Sequence, residues 1–135
     1  MSGWFPFHGG LKTVRHKTES NRRPIAPGVL PERLVVPLHQ HIGKTAKPVV
    51  QPGDRVLKGQ VIGKADSYVS AAVHAPTSGV VAEVDLQPVP HPSGLSDWCV
   101  TIQADGEERW IERQPINYRR LHPSELRNAV RHAGV

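Results

Sequence analysis

This chain has one cysteine, Cys99, in 135 residues. A single thiol cannot build an internal disulfide framework or ligate an iron–sulfur cluster within the chain. Its setting, Trp98-Cys99-Val100-Thr101-Ile102, predicts a buried strand residue. No run approaches the roughly 20 apolar residues that span a bilayer. The opening MSGWFPFHGGLK lacks the continuous apolar core of about 7–15 residues that marks a secretory signal. A soluble cytosolic protein is the expectation, which leaves docking on a membrane complex open. Aromatic residues are scarce at 5%. Stacking platforms for single-stranded nucleic acid need aromatics interleaved with positive charge, so no nucleic-acid partner is expected. No G-x-G-x-x-G or G-x-x-x-x-G-K-[ST] segment occurs, which argues against nucleotide binding by this chain alone. Ser78 lies in a turn without the G-x-S-x-G elbow, and a neighbouring His74 does not make it a nucleophile.

What the chain does have is turns. It contains 13 Pro and 12 Gly, with hydrophobic residues at 38%, which favours short strands and extended segments over long helices. The net charge of +5 is unevenly spread. Residues 1–58 carry ten Lys/Arg against three Asp/Glu, residues 59–112 two against eight, and residues 113–135 five against one. A basic N-terminal portion beside an acidic middle fits an acidic partner or internal complementarity.

Three segments follow from the pattern. Residues 1–33, punctuated by Gly9-Gly10, Pro24, Pro27, Gly28 and Pro31, predict an extended arm; its Trp4, Phe5 and Phe7 need a surface to bury on. Residues 34–112 predict a mainly β domain. Its strands are expected at Leu34 to Leu38, Gln60 to Gly63, Val69 to His74, Val80 to Asp85 and Trp98 to Ala104, with Arg55 to Gly59 turn-like. Leu86 to Ser96 is expected as an exposed loop, and Asp105-Gly106 as a turn. In the last strand Cys99, Thr101 and Gln103 should face one way and Trp98, Val100 and Ile102 the other. Residues 113–135 predict a linker and a helix that opens at His122-Pro123-Ser124-Glu125 and is capped by Gly134. Leu126, Ala129 and Val130 give it an apolar stripe, which favours a downstream domain past Val135 over the alternative of a β-fold that ends in a docked helix.

The most informative stretch is 49–84. The turns Pro52-Gly53-Asp54 and Pro76-Thr77-Ser78-Gly79 are each followed by Val-containing runs, a weak internal echo. Two similar halves wrapping one core give the hairpin sandwich of biotinyl and lipoyl carrier domains. Such carriers present a lysine at an exposed hairpin tip; here that tip reads Ala65-Asp66-Ser67-Tyr68-Val69-Ser70. Lys58 and Lys64 only flank it, so a carrier role is the weaker alternative. His39 and His41, at i and i+2 on one face of a strand, could start a metal site if His74 or His91 supplied a third ligand. No cysteine pair or spaced carboxylate completes a zinc pattern, and hydrogen-bonded surface and turn histidines are the simpler reading. No catalytic, cofactor-binding or metal residue is therefore assigned.

Several pieces of the sequence also carry a family resemblance: Phe7-His8-Gly9-Gly10, His16-Lys17, Pro37-Leu38-His39-Gln40-His41-Ile42-Gly43, the run Val50 to Gly63, the run Val73 to Val81, His91-Pro92-Ser93-Gly94 and Asp105-Gly106. Together they resemble the N-terminal region of the C subunit of Rnf (Rsx)-type ion-translocating electron-transport complexes, which move electrons between ferredoxin and NAD. The resemblance implies a barrel-sandwich hybrid, serving as a structural and docking domain of a peripheral, NAD-facing subunit. It implies a place on the cytoplasmic side of the membrane, held there through the complex. It implies FMN and two four-iron clusters for the full-length subunit. The Gly-rich flavin segment and the cluster cysteines have no counterpart here, so no cofactor is expected in this fragment. The implied partners are the downstream flavin and NAD domain of the same subunit and the other subunits of the complex. A free-standing interaction module is the remaining alternative.

Overall fold

Short β-branched runs broken by Pro and Gly fold into short antiparallel strands around one core. The structure is a computed structural model that describes Val14 and residues 16–135. Trp4, Phe5, Phe7 and Gly9-Gly10 lie outside the described residues. From 16 to 32 the chain is largely exposed, and its regular structure is one 3-10 turn at Lys17–Glu19.

Seven strands follow: β1 (Arg33–Pro37), β2 (Lys47–Pro48), β3 (Arg55–Val56), β4 (Val61–Lys64), β5 (Val73–His74), β6 (Gly79–Pro88) and β7 (Ser96–Ala104). They form a four-stranded sheet in the order β1-β7-β6-β3 and a three-stranded sheet in the order β2-β4-β5. The long β6–β7 hairpin is the backbone of the larger sheet, with Val81 opposite Ile102 and Val84 opposite Val100. One helix, α1 (Pro123–His132), closes the described chain. The mainly β hairpin sandwich with a C-terminal helix is thus what the sequence predicts.

The core joins the two sheets. Val36, Val56, Val81, Val100 and Ile102 come from the larger sheet and Ile62 and Val73 from the smaller, with Leu38 and Ala46 from the connection between them. Leu38 is fully buried and bridges both sides: its N–H donates to the Trp98 carbonyl at 2.9 Å and its carbonyl accepts from Ala46 at 3.2 Å. Burial of these side chains is the main drive to fold a chain this poor in apolar residues.

The internal echo has a structural meaning. The two turn-plus-valine segments lie against each other, with Arg55 paired to Val80 and Val56 to Gly79. The Gly53 N–H donates to Val81 O and the Val81 N–H to Asp54 O, both at 2.8 Å. The two halves of the sandwich are stitched at their matching turns.

Several element bounds differ from expectation. Of the strand expected over Val69 to His74, only Val73–His74 forms. In the preceding loop the Asp66 N–H donates to Ser70 Oγ at 3.3 Å and Ser67 Oγ to Val69 O at 2.8 Å. Such local bonds offer the backbone an alternative to a ladder. The loop expected over Leu86 to Ser96 is shorter, because β6 runs on to Pro88 opposite Ser96. Two of the residues expected to be turn-like form β3. The middle of β7 is buried on both faces, since Cys99, Val100, Thr101 and Ile102 are all inaccessible.

Candidate functional site: the hairpin tip

The loop between β4 and β5, residues 65–72, contains the hairpin tip singled out in the sequence, Ala65 to Ser70. Tyr68 stands at its apex and is 90% exposed. The backbone beneath it is fastened from three directions. The Lys44 N–H donates to Val69 O at 3.0 Å. Gly43, with φ of +92°, lies so close that an added Cβ would overlap that same carbonyl oxygen, so only glycine fits. The Arg131 guanidinium of α1 donates to the carbonyls of Ser67 and Tyr68, the latter at 3.1 Å.

Asp66 at the base of the loop is paired with Lys44 and, at 2.8 Å, with Lys47. Hydrogen bonds from these two ammonium groups hold its carboxyl below the usual aspartate value of 3.8. The basic loop through Lys44 and Lys47 therefore serves to pin the tip.

Helix α1 reaches the tip because its start is well defined. The His122 N–H donates to a Glu125 carboxylate oxygen at 2.7 Å, and the Ser124 N–H donates to His122 Nδ1 at 3.4 Å. This is capping-box logic with a histidine as the cap. Gly134, at φ +87°, ends the helix beside Ala72 and His74. The Arg131 guanidinium lies 5.6 Å from the centre of the Tyr68 ring.

The two lysines considered for carrier chemistry are elsewhere. Lys64 is the last residue of β4, on the strand before the tip. Lys58 is partly buried, ion-paired with Glu108 and 5.2 Å from the Trp110 ring. It belongs to a clasp that sequence reasoning missed. Thr77 and Ser78 are fully buried in the turn before β6. Thr77 Oγ1 donates to Glu108 at 2.9 Å, and Ser78 Oγ donates to Asp105 at 2.7 Å while accepting the Arg109 N–H at 2.9 Å. Arg109 returns to Asp105 at 2.9 Å. Hydrogen bonds from Arg109, then Ser78, lower the Asp105 pKa from 3.8 to about 2. Those from Lys58 and Thr77 lower that of Glu108. Ser78 is thus a structural group that ties residues 105–109 to the core.

The histidines of the described residues do not assemble as a metal site needs. His39 Nδ1 lies 3.3 Å from Asp97, and the His39 and His41 rings meet edge to face at 5.9 Å. His41 Nδ1 bonds the Ile42 carbonyl and His91 Nδ1 the Ser93 hydroxyl. Among the described residues no group of three or more His, Cys, Asp or Glu is placed to hold a metal ion. Cys99 is fully buried, and burial raises its thiol pKa.

A lysine-free tip on a hairpin sandwich excludes neither a relative of carriers nor an unrelated scaffold, and comparison with known proteins decides the ancestry. A sequence profile of the RnfC barrel sandwich hybrid domain matches residues 5–107. The chain belongs to this family. Curated relatives agree over nearly its whole length. The C subunit of an ion-translocating oxidoreductase complex of Vibrio cholerae is 43% identical over 130 residues, 96% of this chain. Its Pseudomonas aeruginosa counterpart is 45% identical over 136 residues, 100% of this chain, and one from Klebsiella pneumoniae is 47% identical over 107 residues, 79% of this chain. The matched stretch is 17%, 18% and 14% of those relatives' own lengths. Among the described residues no helix is long and apolar enough to cross a membrane.

Proposed function

We propose that this chain is a scaffold and docking domain of the C subunit in an ion-translocating oxidoreductase complex, with no catalytic group of its own. The observation that carries this reading is the tip. The position a carrier would use for its prosthetic group holds Tyr68, and its backbone is fixed by Arg131, Lys44 and the close approach of Gly43. A carrier arm needs a free lysine at that place; here Lys58 is engaged in the clasp, Lys64 stands on the preceding strand, and Lys44 and Lys47, which reach the loop from outside it, are paired with Asp66.

In this reading electrons pass between ferredoxin and NAD through other parts of the same subunit, which lies peripherally on the cytoplasmic face of the membrane. FMN and two four-iron clusters would be held there as well. The donor set of this chain does not fit a cluster, since its one thiol is fully buried in β7. Nor does it offer a glycine-rich phosphate cradle for a flavin nucleotide.

The test is direct. Titration of the chain with FMN and with NADH should give flat fluorescence and calorimetric traces, and its intact mass after expression with biotin and lipoate ligases should be that of the bare polypeptide. Saturable binding of either nucleotide would sink the reading in favour of a flavin-contacting domain. A biotinyl or lipoyl adduct on Lys58 or Lys64 would restore the carrier alternative.

A further inference from the structure

The surface made by the tip and α1 is fixed in shape and left open, and its chemistry specifies what should cover it. Tyr68 is 90% exposed, Val69 48%, Val130 43% and Leu126 39%. Tyr68, Leu126, Val130 and Val135 line one groove of about 530 Å³ with Arg127 and Arg131 at its rim. Single exposed apolar residues are ordinary, but a contiguous set beside an aromatic on a fixed backbone is the composition of an interface anchor. The tip loses little freedom on binding, because its carbonyls are already held by Arg131 and Lys44.

The charge of this end is one-sided. Residues 113–135 carry five Arg and a single carboxylate, Glu125. Glu125, in the first turn of the helix beside Leu126, is engaged with the His122 N–H. Arg131 is bound to neutral carbonyls, so its charge is not cancelled there. Arg127 and Arg131 take part in none of the ion pairs of the described residues. A matching partner therefore carries Asp or Glu around a few apolar side chains.

The location favours a partner on the same polypeptide. More than four-fifths of each relative's length lies outside the stretch matched here. Val135 itself lines the groove, so chain continuing from it would start at the docking surface at high effective concentration. We propose that the groove between Tyr68 and α1 docks an acidic, apolar-centred segment of the remainder of the same subunit. This rests on the scaffold reading above and gives it a surface and a partner chemistry.

The experiment uses the complete subunit in its purified complex, with the photo-crosslinker p-benzoylphenylalanine at position 68. The expected crosslink joins position 68 to a peptide of the same polypeptide beyond residue 135, with Asp or Glu beside apolar residues. Combining Leu126→Asp with Arg127→Glu should lower its yield about tenfold or more, with the melting temperature of the isolated chain unchanged. A crosslink to another subunit, to residues 1–13 or to a second copy would overturn the proposal, as would the absence of any crosslink. The scaffold reading fails by a different result, nucleotide binding or lysine modification in the isolated chain, so the two failures are separable.

Discussion

Two connections in this molecule have opposite fates. The turn Pro76 to Gly79 is drawn into the interior, where Thr77 and Ser78 are fully buried and every hydroxyl finds a partner on the segment 105–109. The tip over residues 65–72 is pushed outward, with Tyr68 at 90% exposure. Both are polar loops on matching sides of a hairpin sandwich, and both are rigid. The first is held by its own buried hydroxyls, the second by its backbone carbonyls together with the Asp66 carboxylate at its base. Locking the hydroxyls inward leaves nothing to display, whereas holding the tip at its carbonyls and base leaves Tyr68 and Val69 free to meet a partner. That is why the clasp reads as stability and the tip as recognition.

The contrast breaks most visibly in the core that lies between them. Ile62 of β4 is fully buried, and Ile62→Ala should cost about 2–5 kcal/mol, measured by urea unfolding of the isolated chain. Leu126→Ala on the exposed stripe of α1 should cost less than about 0.5 kcal/mol in the same assay. Equal losses at the two positions would mean that α1 is part of the folding unit, and the distinction between scaffold and displayed surface would fall.

The clasp comes next. Ser78→Ala leaves the Arg109 N–H and Asp105 without their buried partner, at a cost of about 1–3 kcal/mol. Loss of the clasp without loss of the tip should appear as faster hydrogen exchange across 105–109 and unchanged exchange across 65–70. Coupled changes in both segments would show that the two loops form one unit.

Acid should act first on the same groups. Asp105 falls from 3.8 to about 2, and Glu108 and Asp66 are also lowered. A carboxylate with a depressed folded value binds protons more readily once unfolded. Its contribution is therefore complete above the ordinary carboxylate range and is lost as pH falls from there towards about 2. The melting temperature should drop through that window, and Asp105→Asn should make the drop shallower. An unaltered acid limb in Asp105→Asn would remove Asp105 from the account.

Much of the scaffold was legible because its signals are local. β-Branched runs between Pro and Gly mark β1, β4 and β7, and His122-Pro123-Ser124-Glu125 marks the start of α1 within a residue. The missing lysine at the tip is equally plain in the sequence. The clasp is not, since Ser78 meets Asp105 and Arg109 across 27 and 31 residues. Asp105-Gly106 advertises only a turn, and nothing local says that its carboxylate accepts from a buried serine. The reach of β6 to Pro88 escaped for a related reason, because its partner Ser96 lies beyond a proline-rich loop that reads as irregular. The histidines show the limit of spacing alone: i and i+2 would align His39 and His41 on one face of a strand, but β1 ends at Pro37, before both.

The smallest expected effect is the most specific to the tip. Arg131→Ala removes the guanidinium that holds the Ser67 and Tyr68 carbonyls. The residue lies at the surface, where charged contacts contribute about 0–1 kcal/mol, so global stability should change little. Locally the loop keeps the Lys44 bond to Val69 and the pairing of Asp66 with Lys47 but loses its attachment to α1. Amide exchange over 66–70 should speed up while that of β4 and β6 stays as it was, and the crosslink from position 68 should weaken although the rest of the tip is intact. Arg131→Lys would restore charge but not the two-carbonyl fork, so it should recover less than half of the lost crosslink if backbone positioning, and not charge alone, prepares the tip for its partner.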